Sequence, residues 1–323
     1  MQYVTAAGLP PVSKIGLGTM RFGERTFSPD LARQLVRRAL ELGITHFDTA
    51  ESYGFGRSER LLGEALTAEG TREADGANTD GANTNGGSNV VVTSKLSPLL
   101  PLPPVTERHA RASRTRLGLP GIPLYLLHMP SPLFPRRVVM SGFGRAARAG
   151  VIGAAGVSNH SLRQWRAADA ALGQPVAANE VMLNLLHRRA LSDVVPWAAA
   201  QGRLVIAASP LGQGMLTGRY SAACPPAGLP VTRKLALRFS AVPPTPANLR
   251  RLEPLLSQLR ELAAGHGVTP AGIALAWVIS HGPVVVIPGA STIAQLEENA
   301  AAADVVLSAP EQEALTEAAA QVR

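Results

Sequence analysis

Eight short apolar runs punctuate the chain, and most have a longer helix-like stretch close behind. They read "KIGLGTM", "THFDTA", "NVVVTSKL", "PLYLLHM", "VIGAAGVSN", "VAANEVM", "RLVIAASPLG" and "PVVVIPGAS". A strand solvated on one face alternates apolar and polar residues. These runs stay apolar throughout, as parallel strands covered on both faces do. Parallel strands need crossover helices, and helical patterns follow at 29–42, 58–68, 105–117, 135–149, 162–172, 193–201 and 293–303. Eight such units in one chain predict an α/β fold, a (β/α)8 TIM barrel rather than an open sheet. At 323 residues the chain is long for one domain but ordinary for such a barrel, so 1–323 is read as a single barrel domain. With 46% hydrophobic but only 4% aromatic residues, its core is built mainly of Ala, Leu and Val.

Additions to the eight units are also legible. "QYVTAAGLPPVSK" places a Gly-Leu-Pro-Pro turn between two short runs and predicts an N-terminal β-hairpin. Two helical patterns, 249–266 and 270–281, precede the eighth strand, and 310–322 predicts an extra C-terminal helix. Residues 69–89, "EGTREADGANTDGANTNGGSN", repeat GANT and carry almost nothing apolar, so they are expected to be disordered and without chemistry. Residues 210–247, after the seventh strand, are rich in Gly and Pro but keep Leu211, Met215, Leu216, Leu235, Leu237 and Phe239. A long loop with its own apolar residues is expected to be ordered and to serve cofactor or substrate.

Composition excludes several classes of function. The net charge of +8 comes mostly from scattered arginines, with lysine only at 14, 95 and 234. No like-charged run or basic–aromatic interleaving marks a nucleic-acid surface. One cysteine, Cys224, and no CxxC or HExxH spacing leave no metal motif. No leader pattern and no apolar run of about 20 residues occur, so a cytoplasmic protein without a membrane partner is expected. "VVMSGFGRAARAG" fits GxGxxA at Gly142, Gly144 and Ala147, but no acidic residue follows at the spacing of a dinucleotide-binding turn, and the barrel register puts it on a helix.

The chemistry of a barrel of this kind sits at the C-terminal ends of its strands. There the apolar runs stop at Asp48, Lys95, His128, Ser158 with Asn159, Asn179 with Glu180, and Ser209, while Tyr53 lies in the loop after Asp48. Singly, Asp48 reads as a turn cap and His128 as a core histidine. Together, a carboxylate, a phenol, an ammonium and an imidazole on successive units make a titratable cluster of the active-site kind. A free tyrosine titrates near about 10. A neighbouring ammonium is expected to lower that value, with Asp48 holding the lysine, so that Tyr53 can deliver a proton while His128 polarises a carbonyl. Such a site lacks a thiol, a metal set and an activated serine, and it calls for a hydride donor.

"IGLGTM", "FDTAESYGFGRSERLLGEAL", "VVVTSKL", "LYLLHMPSP", "GVSNHS", "NEVMLNLL", "ASPLGQGMLTGRY" and "IPGASTIAQLEEN" run in order from residue 15 to residue 299, and this pattern resembles the aldo-keto reductase superfamily. The resemblance implies a (β/α)8 barrel that reduces a small-molecule aldehyde or ketone with NADPH, reversibly, NADH being the less favoured cofactor. It places the catalytic set on Asp48, Tyr53, Lys95 and His128. It places cofactor contacts on Gly18, Thr19, Met20, Asp48, Ser158, Asn159, Glu180, Ser209, Pro210, Leu211, Gly212, Gly214, Ile287, Gly289, Ser291, Thr292, Gln295, Glu298 and Asn299. Ser158 and Asn159 then hold the nicotinamide carboxamide, and the 289–299 group surrounds a helix start suited to phosphate.

Three positions depart from that pattern. Glu180 stands where the family commonly has Gln, and Ala208 where many members stack an aromatic on nicotinamide. Gly289, Ser291 and Gln295 stand where many use Arg or Lys for the 2′-phosphate, which leaves Arg233, Lys234 or Arg238 to supply that charge. Phe22, Phe55 and Met129, with Met20, Leu211 and Met215, are expected to line an apolar substrate pocket, and Trp165, Trp197 and Trp277 to pack on helices. The alternative reading is a non-catalytic, cofactor-binding regulatory subunit of the same fold.

Overall fold

The structure, a computed structural model, describes residues 1–6, 8–76, 90–226 and 243–322. Eight parallel strands follow one another in chain order: β3 (Leu17–Gly18), β4 (His46–Asp48), β5 (Val91–Leu96), β6 (Ile122–Leu127), β7 (Ile152–Ser158), β8 (Ala178–Met182), β9 (Leu204–Ala208) and β10 (Val284–Val286). The sheet curls until its two ends meet. Ile15 bridges Val286 and Gly18 bridges Gly289, both parallel, and the Gly16 N–H donates to the Val286 carbonyl at 2.8 Å.

The apolar runs now have a physical explanation. On β5, Val91 faces the barrel interior with Leu124, Leu126, Leu204, Ile206 and Val285, whereas Val92 packs outward under the helices. Both faces of each strand are therefore dry, and alternation along the strand separates two apolar environments instead of core from solvent. The alternation ends in chemistry: two residues on from Thr93, the inward position of β5 is Lys95, and two on from Ala178, that of β8 is Glu180.

Helices α1 (Pro29–Glu41), α2 (Arg57–Gly76), α3 (Pro103–Leu117), α4 (Arg136–Arg148), α5 (Leu162–Leu172) and α6 (Val194–Ala200) follow β3 to β8 in turn. α1 starts as its sequence dictates: Ser28 caps it, its hydroxyl accepting from the Leu31 N–H, and Pro29 occupies the first turn. α3 and α5 end on Gly118 and Gly173 in the left-handed region. After β9 come α7 (Pro246–His266) and α8 (Pro270–Ile279), and after β10 come α9 (Ile293–Ala301) and α10 (Ala309–Ala320). Trp165 and Trp277 are fully buried among these helices. Their indole N–H groups donate to the Val176 carbonyl and the Thr316 hydroxyl.

β1 (Tyr3–Val4) and β2 (Val12–Ser13) pair antiparallel as the expected hairpin. Val4, Ala6 and Val12 pack against the inward side chains at the start of the barrel strands. The hairpin plugs that end, and the C-terminal mouth is left as the end where chemistry can occur.

One boundary expectation is corrected. α2 runs on to Gly76, so 69–76 is helix rather than disordered chain, while the rest of that segment, 77–89, lies outside the described residues. Much of the 210–247 loop, with Arg233, Lys234 and Arg238, also lies outside them. GFGRAA, the glycine motif considered above, is on α4, with Gly142 and Gly144 buried against neighbouring helices. Among the described residues no single helix is long and apolar enough to cross a membrane, and the α7–α8 pair that passes by length and composition together is bent by 91°.

Candidate active site

Lys95 is at the centre of the mouth and has no solvent exposure. Its ammonium donates to both carboxylate oxygens of Asp48, at 2.5 and 2.7 Å, and to the Thr49 carbonyl at 3.1 Å. The Tyr53 hydroxyl lies 3.4 Å from the same nitrogen, and Glu180 Oε2 lies 3.2 Å from it. His128 borders this group with its ring edge-on to Tyr53, centroids 5.8 Å apart, and its Nδ1 3.4 Å from the Ser52 hydroxyl. The four residues of the expected catalytic set are thus gathered in one place, and Glu180 sits among them.

Burial and charge act against each other here. Burial alone would lower Lys95, but Asp48 and Glu180 hold it above its ordinary value, so it stays an ammonium. Burial pushes Tyr53 up to about 12, Lys95 pulls it down, and Asp48 and Glu180 push it up again. The expectation that Lys95 leaves Tyr53 below its usual value is therefore corrected: the lysine's pull is present and is outweighed by desolvation and two carboxylates. Burial, and then Lys95, bring His128 down to about 4, so its imidazole is neutral at pH 7. Burial raises Asp48 while Lys95 opposes the rise. Glu180 is pushed up to about 8, by burial first and then by the charge of Asp48.

The loop carrying Tyr53 is held by close backbone contact. Gly54 has φ +62° and lies against Gly23, and any side chain there would run into the Gly23 carbonyl. Arg57, at the start of α2, donates to the carbonyls of Phe22, Glu24 and Phe27 and so ties this loop to the one after β3. Below it, the hydroxyls of Thr19, Thr49 and Ser58 form a buried chain at 2.8 Å spacing. Four non-glycine residues among those described have positive φ: Phe55 (54°), Asn159 (57°), Ser209 (49°) and Gln213 (59°). All four lie in loops leaving the C-terminal ends of strands, where strain is characteristically stored at functional sites.

The other expected cofactor residues ring the same mouth. Ser158 is buried, and the Asn159 amide donates to its hydroxyl at 3.0 Å. Thr19 donates to the Asp48 carbonyl. Met20 is exposed, Ile287 and Pro210 are buried, and Leu211, Gly212 and Gly214 are partly covered. Gln213 donates to the Ser209 hydroxyl at 2.9 Å. Gly289 is open to solvent beside Gly18. Thr292 caps α9 by accepting from the Gln295 N–H, Gln295 Oε1 accepts from the Ser291 N–H, Glu298 is exposed and Asn299 buried.

Two pocket expectations are corrected. Phe22 is 1% exposed and stacks on Phe27 at 4.9 Å, and Met215 is equally buried, so both belong to the core. Phe55, by contrast, is 96% exposed, and Met20 and Met129 are about half exposed. Leu99, Leu100 and Leu133, which the sequence did not single out, are exposed on loops after β5 and β6 and add to this apolar rim. A further residue missed from sequence is Arg21. Its guanidinium donates to the Ser291 hydroxyl and pairs with Glu24 at 3.3 Å, bringing a cation to the start of α9. A basic residue directly after the first strand was the available signal, but its partner is 270 positions away.

A parallel barrel with a buried Lys–Asp–Tyr cluster at its mouth defines an enzyme class that works on small molecules at the strand ends. The chain belongs to the aldo/keto reductase family, whose model matches residues 14–320, and is an NAD(P)H-dependent enzyme. It is 47% identical over 329 residues to a Mycobacterium tuberculosis protein described as an uncharacterized oxidoreductase, covering 100% of this chain and 94% of that one. It is 31% identical to the methylglyoxal reductase of Escherichia coli, covering 96% and 91%. An aldo-keto reductase from Klebsiella pneumoniae, solved in complex with NADPH, superposes with a TM-score of 0.74 at 27% identity, covering 98% of this chain and 95% of that one.

Proposed function

We propose that the chain reduces the carbonyl of an aldehyde or ketone with an apolar substituent, using NADPH, with Tyr53 as the proton donor. The observation that carries this reading is the Tyr53 hydroxyl, 3.4 Å from a buried ammonium and beside a neutral imidazole at the open end of the barrel. When bound, the reduced nicotinamide supplies hydride to the carbonyl carbon. The chain's own residues manage the oxygen. His128, uncharged, donates a hydrogen bond to it, and Tyr53 transfers its proton as negative charge develops. Lys95 stabilises the resulting phenolate, and Asp48 keeps Lys95 in place.

The donor set fits the cofactor. Glu180 Oε2 is buried without a hydrogen-bond partner near Ser158 and Asn159, at a place suited to an amide N–H. Arg21, Ser291 and the capped start of α9 offer a cation, a hydroxyl and a helix dipole to an anion. This favours NADPH over NADH, with Arg21 in the role first sought in the loop after β9. The ring of Phe55, Met129, Leu99, Leu100 and Leu133 favours carbonyls larger and more apolar than methylglyoxal. NADPH consumption across a panel of aliphatic, aromatic and sugar aldehydes, repeated with NADH, tests the reading. Turnover confined to sugars, or a preference for NADH, would count against it.

A further inference from the structure

Glu180 is the buried acid that the roles above leave without a function in proton transfer. Its side chain is 7% exposed and points inward from β8, across the barrel from Asp48, Lys95 and Tyr53. Its neighbours in register, Ser158 on β7 and Ile206 on β9, carry no charge. Lys95 has three protons, and Asp48, the Thr49 carbonyl and the Tyr53 hydroxyl take them. Oε2 of Glu180 lies 3.2 Å from the nitrogen but outside the direction of a good hydrogen bond, in competition with these acceptors. The cluster holds two carboxyl groups and one cation, with His128 neutral beside it. If both carboxyls were ionised, the dry end of the barrel would carry an unmatched negative charge, and one of them would have an unsatisfied oxygen.

We propose that Glu180 is a proton-holding positioning residue: it rests as a carboxylic acid hydrogen-bonded to the Asp48 carboxylate, keeps the cluster neutral, and restores the proton that Tyr53 gives up. Asp48 is the partner that stays ionised, because both of its oxygens face the Lys95 ammonium. The direction of the Glu180 titration, up to about 8 by burial and by the charge of Asp48, agrees with this assignment. The step balances. Tyr53 O–H breaks as the product O–H forms, and a Lys95 N–H proton passes to the phenolate. The Glu180 O–H proton passes to Asp48, which hands a proton on to the lysine nitrogen it faces. Glu180 ends as a carboxylate and regains a proton from water.

Once Glu180 is ionised, the cluster is already negative before turnover. A second negative charge on Tyr53 is then harder to form, so carbonyl reduction falls. Alcohol oxidation runs the same step backwards and needs ionised Glu180 to take up the proton released through Tyr53, so it rises in the same pH window. This inference rests on Tyr53 being the acid, so its test has one arm that needs no turnover. Difference infrared spectra of the full chain between pH 7 and pH 9.5 are expected to show a carboxylic acid C=O band lost at the higher pH. The band is expected to be absent from Glu180→Gln, and absent at pH 7 from Asp48→Asn as well, where Glu180 is left as the one carboxyl facing Lys95 and ionises to match it. No such band in the parent protein, or a band that persists in Glu180→Gln, overturns the proposal even if the enzyme is active.

In the second arm, kcat/KM for reduction and for oxidation are measured against pH in the parent protein and Glu180→Gln. The opposed breaks near pH 8 are expected to disappear in the variant, with reduction at pH 9 at least tenfold faster relative to pH 7 than in the parent. Breaks that stay in place in Glu180→Gln assign them to Tyr53 and overturn the proposal. An acid band at Glu180 in a chain that turns over no carbonyl would refute both the reductase reading and the restoring role.

Discussion

Five oxygen atoms surround the ammonium of Lys95, and only the two of Asp48 are drawn close enough to neutralise it. Removing the lysine leaves two carboxyl groups in a dry pocket with no cation. Breaking a buried ion pair from one side costs about 3–5 kcal/mol. Lys95→Met is expected to lose that much in denaturant unfolding, while Lys95→Met combined with Asp48→Asn loses clearly less than the sum of the two single changes. Equal, additive losses would mean that the pair is not coupled in the way the distances imply. The residue scale also shows what one sequence can and cannot reveal. Asp48, Lys95 and His128 were legible because each stops an apolar run. Tyr53's raised pKa was not, because it depends on how far burial and the carboxylates outweigh one lysine.

At the scale of elements, the loop from Asp48 to α2 places Tyr53 by backbone contact rather than by side-chain packing. Gly54 is both left-handed and pressed against Gly23. Gly54→Ala combines a strained φ, about 1–3 kcal/mol, with a clash that can be relieved only by moving the Tyr53 loop. The expected outcome is a folded protein with a circular dichroism spectrum like the parent's and a kcat lower by tenfold or more. An unchanged kcat would show that the loop tolerates displacement. Elements were also where reading the sequence worked best and failed in an instructive way. Strand ends and helix starts have local signals, such as Ser28–Pro29 before α1 and Gly118 after α3. Phe22 and Met215 had none: an apolar residue just past a strand reads the same whether it lines a pocket or fills the core beneath it. The extension of α2 to Gly76 was hidden for a related reason, since Glu-, Gly- and Arg-rich sequence lacks the apolar stripe by which helices are recognised.

For the whole molecule, the buried cluster ties stability to pH. Glu180 titrates near 4.5 when exposed and is raised to about 8 in the fold. Between those values the folded chain holds a proton that the unfolded chain has released. Its contribution is therefore fully present below about pH 4.5 and is lost as pH rises through about 8, at up to about 1.4 kcal/mol per pH unit. Melting curves of the parent are expected to shift down from pH 6 to pH 8.5 more steeply than those of Glu180→Gln, and parallel curves would contradict the sign. The barrel itself was legible as a whole because eight dry strands leave eight apolar runs. The contact between Arg21 and Ser291 was not, because it joins opposite ends of the chain.

Proton delivery from Tyr53 to a carbonyl at this mouth, as proposed, requires the phenol hydroxyl that Tyr53→Phe removes. General acid catalysis contributes about 10²–10⁴-fold, so the variant is expected to bind NADPH with a Kd within about threefold of the parent's while kcat for an aromatic aldehyde falls by at least a hundredfold. A variant that binds NADPH normally and reduces the aldehyde at the parent's rate would contradict the account.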